Sequence, residues 1–130
     1  MPPELTTDPA EFPLVFARNF NSGDAASLVD GYAEDALLDL GGDQRAHGRD
    51  AIRAALANFL APGLPIVVKP GRVSVTGNLA VVTFDWSIDG AAPDGVPVKL
   101  DGSAIDVLRR DADGHWRQLI DLPFGGTTPR

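Results

Sequence analysis

Hydrophobic positions recur with two different periods along this chain. From Phe12 to Phe20 the apolar residues Phe12, Val15, Phe16 and Phe20 follow helical spacing. Asp8-Pro9-Ala10-Glu11 ahead of them reads as a capping box with proline at the first helical position, and Pro13 moves the true start close to Phe12. Asn21-Ser22-Gly23-Asp24 stops this helix and caps a short second one, which carries Leu28, Val29 and Tyr32 on one face. Residues 36–40 read as a short strand broken at Gly41-Gly42-Asp43. A third helix opens at Gly48-Arg49-Asp50, shows the stripe Ile52, Ala55, Leu56, Phe59, Leu60, and ends at Pro62-Gly63.

From Ile66 onward the period becomes two. Residues 66–76, 79–88, 98–110 and 116–122 are rich in β-branched and aromatic side chains. Gly77-Asn78 and Asp111-Ala112-Asp113-Gly114 are hairpin turns, residues 90–95 form a longer loop, and Pro70-Gly71 marks a bulge. Helices first and hairpins after predict an α+β fold with an antiparallel sheet. One domain spans residues 9–125, with residues 1–8 as a loose lead-in and 126–130 as a tail.

Strand alternation sorts the side chains into two faces. Val82, Phe84, Trp86 and Ile88 share the large apolar face of their strand, and Ala104, Asp106 and Leu108 share a face of the next. With Arg110 paired to His115 across the turn, Asp106 lies opposite Leu119 and Ala104 opposite Asp121. Asp106 and Asp121 are then diagonal neighbours on one partly buried face. Two such carboxyls raise at least one pKa, the strongest chemical signal in the sequence. The plainer alternative is that each bonds nearby backbone or arginine groups.

Charge and composition narrow the partners. The formal net charge is −7, and the only local basic pair, Arg109-Arg110, is flanked by Asp106 and Asp111, which argues against nucleic acid and anionic membranes. The hydrophobic fraction of 44% suffices for one core. With no cysteine, no disulfide or thiolate metal site is expected. No apolar run is long enough to span a bilayer and the N-terminus lacks signal-peptide character, so a cytoplasmic location is expected.

Several short motifs, in this order and spacing, carry a family resemblance over nearly the whole chain. Asn21-Ser22-Gly23-Asp24 resembles an N-x-G-D helix junction. Tyr32-Ala33-Glu34-Asp35-Ala36 resembles the Y/F-A-x-D-A lead into a first strand, and Gly48-Arg49-Asp50-Ala51-Ile52 a G-x-x-A-I third helix. Asp106-Val107-Leu108-Arg109-Arg110 with Asp113-Gly114-His115-Trp116-Arg117 resembles a last hairpin. Together they resemble the NTF2-like superfamily of ketosteroid-isomerase-like proteins, and the ending Ile120-Asp121-Leu122-Pro123-Phe124-Gly125 is most similar to its SnoaL-like group. The resemblance implies three N-terminal helices packed on a curved, mostly antiparallel sheet that forms a cone with an apolar pocket, and a homodimer formed through the sheet. Ketosteroid isomerase uses a tyrosine and a protonated aspartic acid as donors and a second aspartate as base. The matching positions here are Phe16, Asp106 and Leu40. With two of the three groups missing, steroid isomerisation is not expected.

Among the remaining candidates, His47 lies just ahead of the third helix, at the expected cavity mouth, and is a candidate base or a loop cap. His115 follows a hairpin turn and reads as solvated. Two histidines without fixed spacing give no metal site, and the Asp111–Gly114 segment lacks the acidic ligand a calcium loop needs downstream. No phosphate-binding loop or nucleophile elbow is present, and no cofactor is expected. The expected catalytic set is thus Asp106, Asp121 and His47. The expected pocket lining is Phe16, Tyr32, Leu40, Phe59, Val82, Phe84, Trp86 and Leu108. Two functions fit this pattern. One is an acid–base enzyme of isomerase, cyclase or lyase type acting on a small cyclic or polyketide-like molecule. The other is a non-catalytic ligand-binding or dimerisation module.

Overall fold

The computed structural model describes residues 4–125. Asp8 accepts a hydrogen bond from the Ala10 backbone at 3.0 Å and caps a 3-10 turn over Pro9–Glu11, which feeds straight into helix α1, Phe12–Asn21. Pro13 sits in the first turn of α1, where its missing N–H has no partner to lose. Gly23, at φ 77°, ends the helix, and Asp24 caps α2, Ala25–Val29, by accepting from Ala26. Helix α3, Arg49–Leu60, buries Ile52 and Leu56 and half-buries Phe59.

The six strands are β1 Tyr32–Gly41, β2 Gln44–His47, β3 Ile66–Thr76, β4 Leu79–Ala91, β5 Pro97–Arg110 and β6 Trp116–Leu122. They form one curved sheet in the order β2-β1-β6-β5-β4-β3, and β1 runs parallel to β6 while every other pair is antiparallel. Helix α1 packs on β3 and β4, and α3 on β1 and β2.

Four details differ from the sequence expectation. Tyr32 is the first residue of β1 rather than part of a helical face. The chain leaves α2 where Gly31 donates to Leu28, and Gly31 then accepts from the Gln118 backbone, so pairing with β6 draws the strand start forward. Strand β2 was not expected from its polar sequence. It exists because the Gly42 turn folds it back on β1, with Asp39 paired to Arg45. Residues 4–8 are packed rather than loose: Thr6 is buried and bridges Trp116, and Asn19 exchanges two hydrogen bonds with the Glu4 backbone. Residues 1–3 and the expected tail, 126–130, lie outside the described residues.

The fourth difference is the β5–β6 register. Arg110 pairs with Trp116 rather than His115, and Leu108 with Gln118. A bulge then shifts the register, so that Val107 faces Ile120 and Asp106 faces Asp121 directly. The expected pairings of Asp106 with Leu119 and of Ala104 with Asp121 are both replaced. At Pro70 and Gly71 the expected bulge is present, between Pro70 and Val73. A Cβ at Gly71 would stand 2.5 Å from Thr83 Oγ1 and 2.9 Å from its carbonyl oxygen, so only glycine allows this approach.

The interior divides into two clusters. The larger gathers Phe20, Tyr32, Leu38, Ile52, Leu56, Ile66, Phe84, Trp86, Ile88 and Ala104, among others. The smaller holds Phe12, Ala80, Val82, Leu108 and Trp116, with Phe16 touching both.

Candidate functional site

A cavity enclosing about 430 Å³ of empty space, its open mouth included, lies within the larger cluster. Its wall is built from Phe16 and Phe20 of α1, Leu56 and Phe59 of α3, Phe84, Trp86 and Ile88 of β4, and Ala104 of β5, with Leu38, Ile66 and Pro123 completing it. The aromatic side chains hold one another in place: Phe16 and Phe84 centroids are 6.1 Å apart, and Phe59 meets Trp86 edge-on at 6.4 Å. Trp86 donates its indole N–H to the Pro123 carbonyl at 2.7 Å. That bond ties the chain beyond β6 to the cavity wall, and leaves the indole only carbon surface to offer a ligand.

Two ionisable side chains reach this otherwise apolar lining, Tyr32 and Asp121. The Tyr32 hydroxyl donates to Asp121 Oδ2 at 2.5 Å. Behind Asp121 stands Asp106, fully buried, and behind that Gln118, whose Nε2 donates to Asp106 Oδ2 at 2.9 Å. The line Tyr32–Asp121–Asp106–Gln118 therefore crosses β1, β6 and β5, and returns to β6. Neither Asp106 Oδ1 nor Gln118 Oε1 meets a hydrogen-bond partner among the described residues.

This geometry locates a proton. Burial is the largest cause raising the Asp106 pKa, which stands well above the usual carboxyl range, and the neighbouring Asp121 adds to it. Burial also raises Asp121, but hydrogen bonds from Asp106, Tyr32 and Gln118 hold that rise down. Asp106 Oδ2 already accepts from Gln118, so the proton belongs on the orphaned Oδ1. Of the two carboxyls, Asp106 is the one whose protonated form burial and its neighbour favour more strongly. Two carboxyls that share a site titrate as a pair, one proton between them over a broad pH range. Tyr32, its own pKa pushed far up by burial and by Asp121, stays a phenol.

The structure distributes the expected site residues unevenly. Phe16, Tyr32, Phe59, Phe84, Trp86 and Asp121 line the cavity. Asp106 does not reach it and stands behind Asp121. Val82 and Leu108, expected in the lining, belong to the smaller cluster, because α1 crosses the sheet there and Phe12 covers them. Leu40 packs at the margin of the larger cluster without joining the lining. His47 is exposed at the end of β2, paired with Leu37, and contributes nothing to the cavity wall. Gln118 was missed by sequence reasoning. Its one signal was a neutral amide two residues after Trp116, on the face that Trp116 buries.

Comparison with known proteins follows from this geometry. Residues 15–119 match the SnoaL-like domain. No curated protein matches the sequence. A ketosteroid isomerase-like protein from Erwinia carotovora atroseptica SCRI1043 superposes with a TM-score of 0.74 at 20% identity, covering 87% of this chain and 90% of that one. An NTF2-like protein with a cystatin-like fold from Novosphingobium aromaticivorans gives 0.71 at 22% identity, over 91% of this chain and 80% of that one. SalBIII, an epoxide hydrolase/cyclase-like enzyme with a role in pyran ring formation in the polyether salinomycin, gives 0.64 at 21% identity, over 90% and 89%. These three likenesses establish the NTF2-like fold. Asp121 falls two residues past the end of the family match, so its place in the cavity is a property of this chain's own geometry. With four-fifths of the sequence matched and the fold shared, the chain belongs to the SnoaL-like domain family.

Proposed function

We propose that this protein is a cofactor-independent acid–base catalyst for a small apolar, cyclic or polyketide-like molecule, with Asp121 as the group that touches the substrate. The observation that carries the reading is the buried line Tyr32–Asp121–Asp106–Gln118, hydrogen-bonded at both ends and opening on an aromatic cavity. A carboxylate whose pKa is raised by burial is a stronger base at neutral pH than one in water. Asp121 takes a proton from carbon beside a substrate carbonyl and returns it to another carbon, an isomerisation whose atoms balance without a second reagent. Asp106 is a positioning residue: protonated, it donates to Asp121 and keeps that carboxylate oriented. The neighbouring SalBIII acts in ring formation, a chemistry that also asks for sheltered proton transfer.

The test is deuterium exchange. A panel of small cyclic ketones incubated with the protein in D2O gains deuterium beside the carbonyl, read by NMR, and Asp121→Asn abolishes the gain. Binding without exchange would instead favour the second reading, a ligand-binding module without turnover. That reading draws on the scarcity of polar groups in the lining, where Tyr32 and Asp121 are the only ionisable side chains among the described residues. Absence of both binding and exchange across the panel would overturn the two together.

The same proposal includes a second copy of the chain. The sheet face away from the helices carries a row of paired apolar residues, Val81, Val107 and Ile120, with Ile105 beside it. Val81 is 40% exposed and Ile105 36%, a surface suited to covering by a symmetric partner.

A further inference from the structure

We infer that the cavity selects a hydrophobic ligand bearing a positive charge, a protonated amine, over neutral or acidic molecules of the same shape. The inference rests on the cavity being a ligand site and names what that site prefers.

The argument begins with a missing countercharge. Asp106 and Asp121 are 0% and 5% exposed, and among the described residues no lysine, arginine or histidine lines the cavity that Asp121 faces. Hydrogen-bond donors surround the pair, Tyr32 on β1 and Gln118 on β6, but both are neutral. The elements packed over the cavity supply only Phe16 and Phe20 from α1, Leu56 and Phe59 from α3, and Phe84, Trp86 and Ile88 from β4. The Arg49 guanidinium, on α3, turns Nε and Nη2 to the Tyr32 backbone carbonyl. A buried anion held by neutral donors alone is a costly arrangement, and a cation brought in beside it removes that cost.

The walls fit the same ligand. Six aromatic side chains, Phe16, Phe20, Tyr32, Phe59, Phe84 and Trp86, line a cavity with one carboxylate among them. Aromatic faces attract cations, and more strongly where water is excluded. A carboxylate ligand meets the reverse: a second negative charge placed beside Asp121 with no cation to offset it. A neutral alcohol or ketone keeps the apolar contacts and loses the charge term.

The experiment uses three probes of one shape, 2-phenylethylamine, 2-phenylethanol and phenylacetate, titrated calorimetrically into the full chain. The amine binds about tenfold or more tighter than the alcohol, and phenylacetate does not bind. Amine affinity falls as pH drops through the titration of Asp121, while alcohol affinity holds steady. Asp121→Asn, close to the native shape, levels amine and alcohol. Should that variant fail to fold, the wild-type pH dependence decides. Alcohol binding as tight as amine at neutral pH, or amine affinity independent of pH, overturns the charge preference and leaves the cavity as a ligand site. Absence of binding by both amine and alcohol overturns the charge preference and the ligand-site reading alike.

Discussion

Asp106 and Asp121 stand directly opposite each other on adjacent antiparallel strands, both buried, with Gln118 donating to one and Tyr32 to the other. Opposite residues in such a pair have Cβ atoms about 4.5–5.5 Å apart, so the two carboxyls cannot both be ionised without strong repulsion. Each end of the line is anchored by a neutral donor, and the proton between them is what makes the arrangement stable.

That proton gives Asp106→Asn a pH signature. The folded pKa of Asp106 lies above its unfolded value of about 4, so the native state holds a proton that the unfolded state has released, and stability falls as pH rises through that interval. An asparagine carries its own donor and has no proton to lose: its oxygen accepts from Gln118 and its amide faces Asp121. The variant should be more stable than the parent by about 1–2 kcal/mol near neutrality. The gain should vanish below about pH 4, where Asp106 is protonated in both states. Urea unfolding of both proteins from pH 4 to pH 8 measures it, and a constant difference across that range would contradict the assigned proton.

Removing the phenol at the other end acts with the opposite sign. Tyr32→Phe deletes the hydroxyl that donates to Asp121 Oδ2 and leaves a buried carboxylate oxygen short of a donor. The expected cost is about 1–3 kcal/mol, and the Asp121 titration should move upward. Carbon-detected NMR of the aspartate carboxyls checks the shift, and an unmoved Asp121 would show that the bond does not hold the anion.

The outer sheet face should pair two copies of the chain. Sedimentation at micromolar concentration is expected to show a dimer, and Val81→Glu, a charge placed amid the row Val81–Val107–Ile120, should give a folded monomer. A wild-type monomer under those conditions would dismiss the interface.

Gly71→Ala tests the bulge of β3. The added methyl lands 2.5 Å from Thr83 Oγ1 and 2.9 Å from backbone oxygen, and Thr83 Oγ1 also accepts from Arg72, so it is not free to swing aside. A loss of about 1–3 kcal/mol is expected in thermal or chemical unfolding. A neutral outcome would mean that β3 slides past β4 at little cost.

Local periodicity made the helices and most of the strands legible. The stripe of α3 and the alternation Val82, Phe84, Trp86, Ile88 are each written in consecutive residues, and the structure buries them. Features set by distant pairing were not legible. Tyr32 enters β1 because Gln118 is beside it, 86 positions along the chain, and β2 forms only because β1 offers an edge. The cavity lining was half visible: alternation tells which residues point inward, but only the path of α1 decides that Val82 meets Phe12 while Phe84 meets open space. The acid pair was placed on one face by a register that was off by one at the turn; the bulge in β6 widens that offset to two residues, which returns Asp121 to the expected face but opposite Asp106 rather than Ala104.

That bulge means the character of the cavity hangs on the count of residues in one strand rather than on their kind. Trp116 and Gln118 are even-numbered and face inward, Asp121 is odd-numbered and also faces inward, and the extra residue between them reconciles the two. Ironing the bulge out with every residue kept would let regular alternation run on from Gln118, carry Ile120 inward and turn Asp121 to the outer sheet. A slip of register in one strand would thereby exchange a proton-handling chamber for an oily one, whereas loss of Leu119, the extra residue itself, would leave Asp121 facing inward.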